Sequence, residues 1–254
     1  MAWPIHDEMG QPWAPKMEKL PLLISVPHAG LQIPPEVQPN NLLTLSGIVQ
    51  DGDEGAANIY GPLKNQVRHF VTTNTARAFV DLNRAEDDIR KDGVVKTHTC
   101  WNVPIYKQEL TSDVIRQLIT RYHRPYHDQL TTLANNDVIL AIDCHTMAEY
   151  GPPVGPDAGV KRPLVCLGNV HGKSCPIEWV EQMASCFRKE FDGHVTINTP
   201  FAGGYITQVH SREMPWIQLE LSRSSYFTTE VKSIKVAAAL SSWYKHIQAM
   251  NSVG

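Results

Sequence analysis

An α/β fold, with a mixed, mostly parallel central sheet and helices on both faces, is predicted for this chain by three observations. Four apolar, β-branched runs have the length of buried strands, helix-like stretches separate them, and every strong run ends in ionisable or amide side chains. The first strand is "LLISV" (22–26), which stops at Pro27 and presents His28 before a glycine. "EGAANIYGPLKNQ" (54–66) then supplies a helix, and "AFVDL" (78–82) reads as the second strand. "SDVIRQLITRYHRPYHDQLTTLANN" (112–136) is helical in pattern, with Pro125 as an interior blemish. "VILAIDC" (138–144) is the third strand, "IEWVEQMASCFRKEF" (177–191) a helix, "WIQLEL" (216–221) the fourth strand and "TTEVKSIKVAAALSSWYKHIQAM" (228–250) the closing helix. "QIPPEVQPNN", "RAEDDIRKDGVV" and "EYGPPVGPDAGV" are rich in Pro, Gly and Asp and read as surface loops rather than linkers, because no shift of composition accompanies them.

The 254 residues fit a single α/β domain spanning 1–254. A net charge of −3 with scattered basic residues gives no footprint for a polyanion, so nucleic acid is not an expected partner. No run reaches the roughly 18 apolar residues of a membrane span, so no membrane partner is expected. The start, "MAWPIHDEMGQPW", lacks the basic stretch and apolar core of a secretory signal, which makes the cytoplasm the expected compartment. Five cysteines, an odd set without a CxxC pair, suggest neither a disulfide framework nor a thiolate zinc cage. Cys144 stands beside a histidine and is a conceivable nucleophile, although a small apolar cysteine at the end of a buried strand is the simpler reading. Oligomeric state is not legible at this level.

In parallel sheets ligands gather at the carboxyl ends of the strands, and that is where the chemistry of this chain lies. "ISVPH" delivers His28, "FVDLNR" delivers Asp81, Asn83 and Arg84, "LAIDCH" delivers Asp143 and His145, and "IQLEL" carries Glu220 inside an apolar run. A buried carboxylate costs several kcal/mol unless it is paired or lies near a cation, so Glu220 demands either a salt bridge or a metal nearby. Two histidines and one carboxylate would supply the three protein ligands of a catalytic zinc. The acid could come from Asp51, Asp53 or Glu54 of "QDGDEGA", a cluster that could equally be a helix cap. His123 and His127, four apart, share a helical face and could pair as ligands, but Pro125 between them favours packing or structural hydrogen bonds. "GGYITQVH" reads as a Gly-rich loop over the cleft, where Gly203 and Gly204 would bring Tyr205 and Thr207 near substrate and His210 could assist an oxyanion.

Eight stretches in this order, "SVPHAG", "DGDEGAANIY", "ARAFVDLNR", "RYHRPYHDQL", "DCHTM", "CLGNVHGKSC", "FAGGYITQVH" and "IQLELSRSSYF", resemble the N-formylglutamate amidohydrolase family over roughly residues 22 to 230. The resemblance implies a fold related to the zinc carboxypeptidases, one metal ion, and hydrolysis of an amide next to an acidic group. Carried over residue by residue, His28 and His145 would be metal ligands and Asp53 the third, with Glu54 and Asp51 as alternatives. Asn83 and Arg84 would grip a substrate carboxylate, and Arg77 would begin the same motif and could stabilise the oxyanion. Glu220 would be the general base. The expected cofactor is Zn2+, although other divalent transition metals accept similar donors, and the expected partner is a small anionic substrate bearing a carboxylate. The chain departs from the family where substrate would lie. After "DLNR" it reads "AEDDIRKDGVVKTHTCWNVPIY" in place of a Tyr-Pro-Gly type loop, and after the second histidine "TMAEYGPP" replaces a run that contains Arg. A carboxypeptidase-like activity on a small acidic peptide or amide, or a metal-binding protein without catalysis, are the competing expectations.

Overall fold

The apolar run near the start of the chain becomes strand β1 (Leu20–Val26), whose last five side chains are all buried because paired strands flank it on both edges. The computed structural model describes residues 18–153 and 157–251. After β1 come helices α1 (Leu45–Asp51) and α2 (Ala56–Tyr60), then strand β2 (Val67–Thr72). Helices α3 (Ser112–Leu118) and α4 (Arg124–Leu133) precede β3 (Leu140–Met147) and β4 (Val165–Gly168). Helix α5 (Ile177–Glu190), β5 (Val195–Ile197), α6 (Tyr205–His210), β6 (Trp216–Ser222) and α7 (Thr229–Asn251) complete the order. The sheet runs β2-β1-β3-β6-β4-β5, and every pairing is parallel except that of β4 with β6.

Alternation along the strands decides which helices cover which face. Leu22, Ile24 and Val26 of β1 and Ile142 and Cys144 of β3 join a core with residues of α2, α5 and α7, including Trp243. Leu23 and Ala141 point the other way, into a second core with Ile48 of α1, Leu118 of α3, Tyr126 and Leu130 of α4 and Ile206 of α6. Helices therefore cover both faces, as expected of a mostly parallel sheet. The helical stretch around Pro125 is continuous in space: a π-helical turn over Ile119–His123 separates α3 from α4, and the proline falls at the start of α4, directly after that turn.

The expected strand over "AFVDL" (78–82) is not a strand. Residues 76–84 form consecutive turns, with Phe79 N and Val80 N both donating to the Ala76 carbonyl at 3.0 and 3.3 Å. Ala78, Phe79, Val80 and Leu82 are nonetheless fully buried in the second core, so the apolar run reflects burial on all sides rather than ladder pairing. The strand beside β1 is instead the more polar "VRHFVT" of β2, an edge strand; its mixed burial, like the brevity of β4 and β5, hid it from the pattern. "GGYITQVH" likewise is not simply a loop: its glycines are extended or left-handed, but Tyr205–His210 is helix α6. Among the described residues no helix is long and apolar enough to cross a membrane. The stretch "MAWPIHDEMGQPW" and residues 154–156 of the third Pro/Gly loop lie outside the described residues.

Candidate metal centre and cleft

His28 lies two residues beyond β1, Asp53 sits in the turn joining α1 to α2, and His145 projects from β3. The Asp53 N–H donates to the His28 carbonyl at 3.3 Å, tying the turn to the end of β1. The Tyr60 hydroxyl donates to the His145 carbonyl at 2.8 Å and fixes the strand behind the site. As a result one ligand atom from each of His28, Asp53 and His145 lies within 4.8 Å of the other two, all three residues being buried. The competing acids are accounted for elsewhere. Asp51 is fully buried against the Lys96 ammonium at 2.7 and 2.9 Å and the Cys100 N–H at 2.7 Å, while Glu54 is exposed.

Each histidine has a carboxylate behind it. His28 Nε2 donates to Asp81 Oδ1 at 2.8 Å, and Arg77 Nε donates to the other oxygen of Asp81 at 3.0 Å. Burial opposes the negative charge on Asp81, but the Arg77 guanidinium and His28 outweigh it and hold this carboxyl well below the usual range. The other ring nitrogen of His28, Nδ1, faces inward; that atom is buried, has no hydrogen-bond partner, and lies 3.5 Å from Asp53 Oδ2. His145 Nε2 similarly meets Asp143 Oδ2 at 2.8 Å, and Nδ1 meets Asp53 Oδ2 at 2.9 Å. Burial disfavours charge on this ring, yet Asp143 and Asp53 raise its pKa well above the ordinary histidine value. Burial likewise opposes ionisation of Asp53, but His28 and His145 keep it well below the usual carboxylate range. Two imidazoles and an ionised carboxylate converging in a dry site need positive charge between them, carried by protons on the rings or by a metal ion. Imidazole and carboxylate donors backed by outer carboxylates suit a divalent transition metal, so the residues fit such an ion.

Glu220 is the register partner of His145 across β3 and β6, which places the two side chains side by side on one sheet face. The Glu220 carboxyl is 6% exposed, and burial pushes it up to about 7, with the Asp53 charge adding to the rise. It is oriented by Gln218, whose Nε2 donates to Glu220 Oε1 at 2.8 Å while its Oε1 accepts from the Gly204 N–H. These groups open into a cleft of about 540 Å³ that Arg77, Asn83 and Arg84 also line. Asn83 Nδ2 lies 3.2 Å from His145 Nε2, and Asn83 Oδ1 accepts from the Ile206 N–H at 2.8 Å. Gly204 packs so closely on this amide that a Cβ there would stand 2.3 Å from Asn83 Nδ2, which only glycine allows. Arg84 donates from Nε to the Asp92 carbonyl at 3.1 Å and from Nη2 to its carboxylate at 3.5 Å.

A model of N-formylglutamate amidohydrolase matches residues 20–227. The chain belongs to that family. An N-formylglutamate deformylase of Pseudomonas putida is 27% identical over 224 residues, which is 82% of this chain and 82% of the relative. The crystal structure of an N-formylglutamate amidohydrolase from Ralstonia eutropha superposes with a TM-score of 0.72 at 20% identity, over 92% of this chain and 96% of that one. A gene product of Agrobacterium tumefaciens has the same fold, with a TM-score of 0.70 at 14% identity over 93% of this chain and 91% of that one.

In this amidohydrolase-family chain two expected substrate contacts are absent from the lining of the cleft. Thr207 is fully buried with its hydroxyl unpartnered and its methyl packed close to Gly203, and the Tyr205 ring lies against the rings of His123 and His127. His210 is also outside the lining. Sequence reasoning missed Gln218 and left Asp81 and Asp143 without a role. The i, i+2 spacing of "DCH" and "QLE" on strands, which puts both polar residues on one face, was the available signal.

The remaining histidines hold backbone behind the cleft. His123 Nε2 donates to the Arg84 carbonyl at 2.8 Å and His127 Nε2 to the Leu82 carbonyl at 2.9 Å, so the two rings clamp the turn on either side of Asn83. His127 Nδ1 then accepts from His210 Nε2 at 2.9 Å. Burial, followed by the neighbouring histidines, lowers the His127 pKa to about 3. A depressed pKa favours the neutral folded form, so this stabilisation is complete above the unfolded value near 6.5 and declines as pH falls below it toward about 3. Urea melts are expected to show stability falling from pH 7.5 to 5.5, with a smaller fall in His127→Gln; an unchanged slope in the variant would contradict the assignment.

Proposed function

We propose that this chain is a metal-dependent amidohydrolase that removes the formyl group from N-formylglutamate or a closely similar N-formyl acidic amino acid. The observation that carries this reading is the meeting of His28, Asp53 and His145 beside a buried Glu220 in a cleft lined by arginines. Family membership and the deformylase activity of the Pseudomonas relative support it. Zinc is the proposed ion, held by His28 Nδ1, Asp53 and His145 Nδ1. Such an ion supplies Lewis acidity, polarising an amide carbonyl and making water acidic near neutral pH.

The protein's own groups perform the rest. Glu220, ionised, accepts a proton from the attacking water and delivers it to the amide nitrogen as the C–N bond breaks, releasing formate and the free amino acid. Burial strengthens Glu220 as a proton acceptor, and the neutral acid formed can then give the proton up to the leaving amine. Arg77, held by Asp81 and by the Asp51 carbonyl at 3.3 Å, is the proposed donor to the oxyanion. Asn83 and Arg84 are proposed to position the substrate, with Asp92 as the competing partner that a substrate carboxylate must displace or share. A burial-raised Cys144 thiol, fully buried in the opposite core, is unsuited to serve as the nucleophile.

The test is hydrolysis by zinc-loaded protein of N-formylglutamate, N-acetylglutamate and N-formylleucine, read as amine release. Turnover is expected to be fastest with N-formylglutamate and to vanish after chelation. Equal rates on N-formylleucine, which keeps the α-carboxylate but has no side-chain carboxylate, or turnover indifferent to chelation, would defeat the reading.

A further inference from the structure

Four arginines line the cleft, and three of them have a carboxylate of their own. Arg77 pairs with Asp81 at 3.0 Å, Arg84 with Asp92 at 3.5 Å, and Arg162 with Asp157 at 2.6 Å. Arg223, one residue past β6, does not. Its guanidinium is half-buried and makes one hydrogen bond, from Nη1 to the Gly52 carbonyl at 3.3 Å, and no Asp or Glu of the described residues pairs with it. A guanidinium presents five N–H donors in a planar fork, so most of this one is unused by the protein. A partly desolvated cation without a counter-charge raises the free energy of the empty cleft, and an incoming anion offsets that cost. Gly52 immediately precedes Asp53, so the fork is tethered one residue from the candidate metal ligand.

A purely structural role is a poor fit to this geometry. The 51–53 turn is already held by Gly52 N to the Ile48 carbonyl at 3.1 Å, by Asp53 N to the His28 carbonyl at 3.3 Å, and by Arg77 Nη1 to the Asp51 carbonyl at 3.3 Å. A fourth bond from one corner of a fork adds little to that turn.

We propose that Arg223 is the principal charge-selecting residue of the cleft, taking a carboxylate of the N-formyl acid, with the partly neutralised Arg84 as the weaker grip. This assignment rests on the deformylase reading above and names the group by which that site recognises an acidic substrate. Sequence inspection had no means of finding it, since "SRSSYF" offers one arginine among several and only the pairing pattern in space marks it as unmatched.

The experiment compares wild type, Arg223→Gln and Arg223→Lys in two arms. In the kinetic arm the substrates are N-formylglutamate, N-formylglutamine and the α-amide of N-formylglutamate. Arg223→Gln is expected to raise KM for N-formylglutamate by about 10–100-fold, the loss of a charge-assisted contact, with kcat changed little. That penalty should vanish for whichever amide lacks the carboxylate Arg223 holds, and Arg223→Lys should recover part of it. In the binding arm glutarate is titrated calorimetrically, and its affinity should fall at least tenfold in Arg223→Gln at an unchanged unfolding temperature. Glutarate binding lost with Arg223→Gln in a protein that hydrolyses no N-formyl substrate would sink the deformylase reading and leave this one standing. No selective loss in either arm, whether from a uniform drop in turnover or from no change, overturns the assignment.

Discussion

Glu220→Gln is expected to lower kcat on N-formylglutamate by about 10²–10⁴-fold, the usual contribution of a general acid–base group, while metal content and unfolding temperature stay near wild type. The amide is close in size to the carboxylate and can still bond to Gln218 Nε2 through its oxygen, so packing of this buried site is preserved. It cannot take up a proton. Relief of the buried charge can even raise stability slightly, since burial already pushes the Glu220 carboxyl toward neutrality. The pH profile adds a second readout. A base works when deprotonated, so Glu220 should set an acid limb in kcat/KM, and the residual activity of the variant should lack that limb. Cys144→Ala is the control and should retain turnover. A variant in which the glutamine is harmless and the alanine inactivating would favour thiol chemistry instead.

Removing one of the proposed ligand imidazoles should do more than slow the reaction. His28→Ala is expected to weaken zinc binding by more than about 100-fold, because even loss of an outer hydrogen-bond partner costs ~10–100-fold in affinity. Asp143→Asn supplies that graded comparison: it leaves His145 in place but removes the carboxylate 2.8 Å behind its Nε2, and should fall within the smaller range. Metal analysis of the dialysed proteins checks both. Affinity should also rise with pH, because the imidazoles must give up protons to bind the ion. Equal zinc content in wild type and His28→Ala would place the ion elsewhere.

Much of this site is legible because parallel sheets concentrate function at strand ends. His28 after "ISVP", His145 in "DCH" and Glu220 in "QLEL" each stand out as an ionisable group at the edge of, or inside, an apolar run, where its burial has to be explained. The choice among Asp51, Asp53 and Glu54 was not legible, since three acids within four residues differ only in where the turn points them. The structure separates them by giving Asp51 to Lys96 and exposing Glu54.

The sequence by itself determined the alternation of strands and helices, the two imidazoles, and the acid inside "WIQLELS", because periodicity and misplaced polarity are properties of adjacent residues. Only the tertiary structure decided that "AFVDL" is a buried turn, that Tyr205 and Thr207 of α6 lie off the cleft lining, and that Arg223 alone among the cleft arginines has no carboxylate of its own among the described residues. Those outcomes depend on which residues, distant in the chain, arrive as neighbours. Burial on every side makes a turn look like a strand, and a charge is matched or unmatched only by what packs against it.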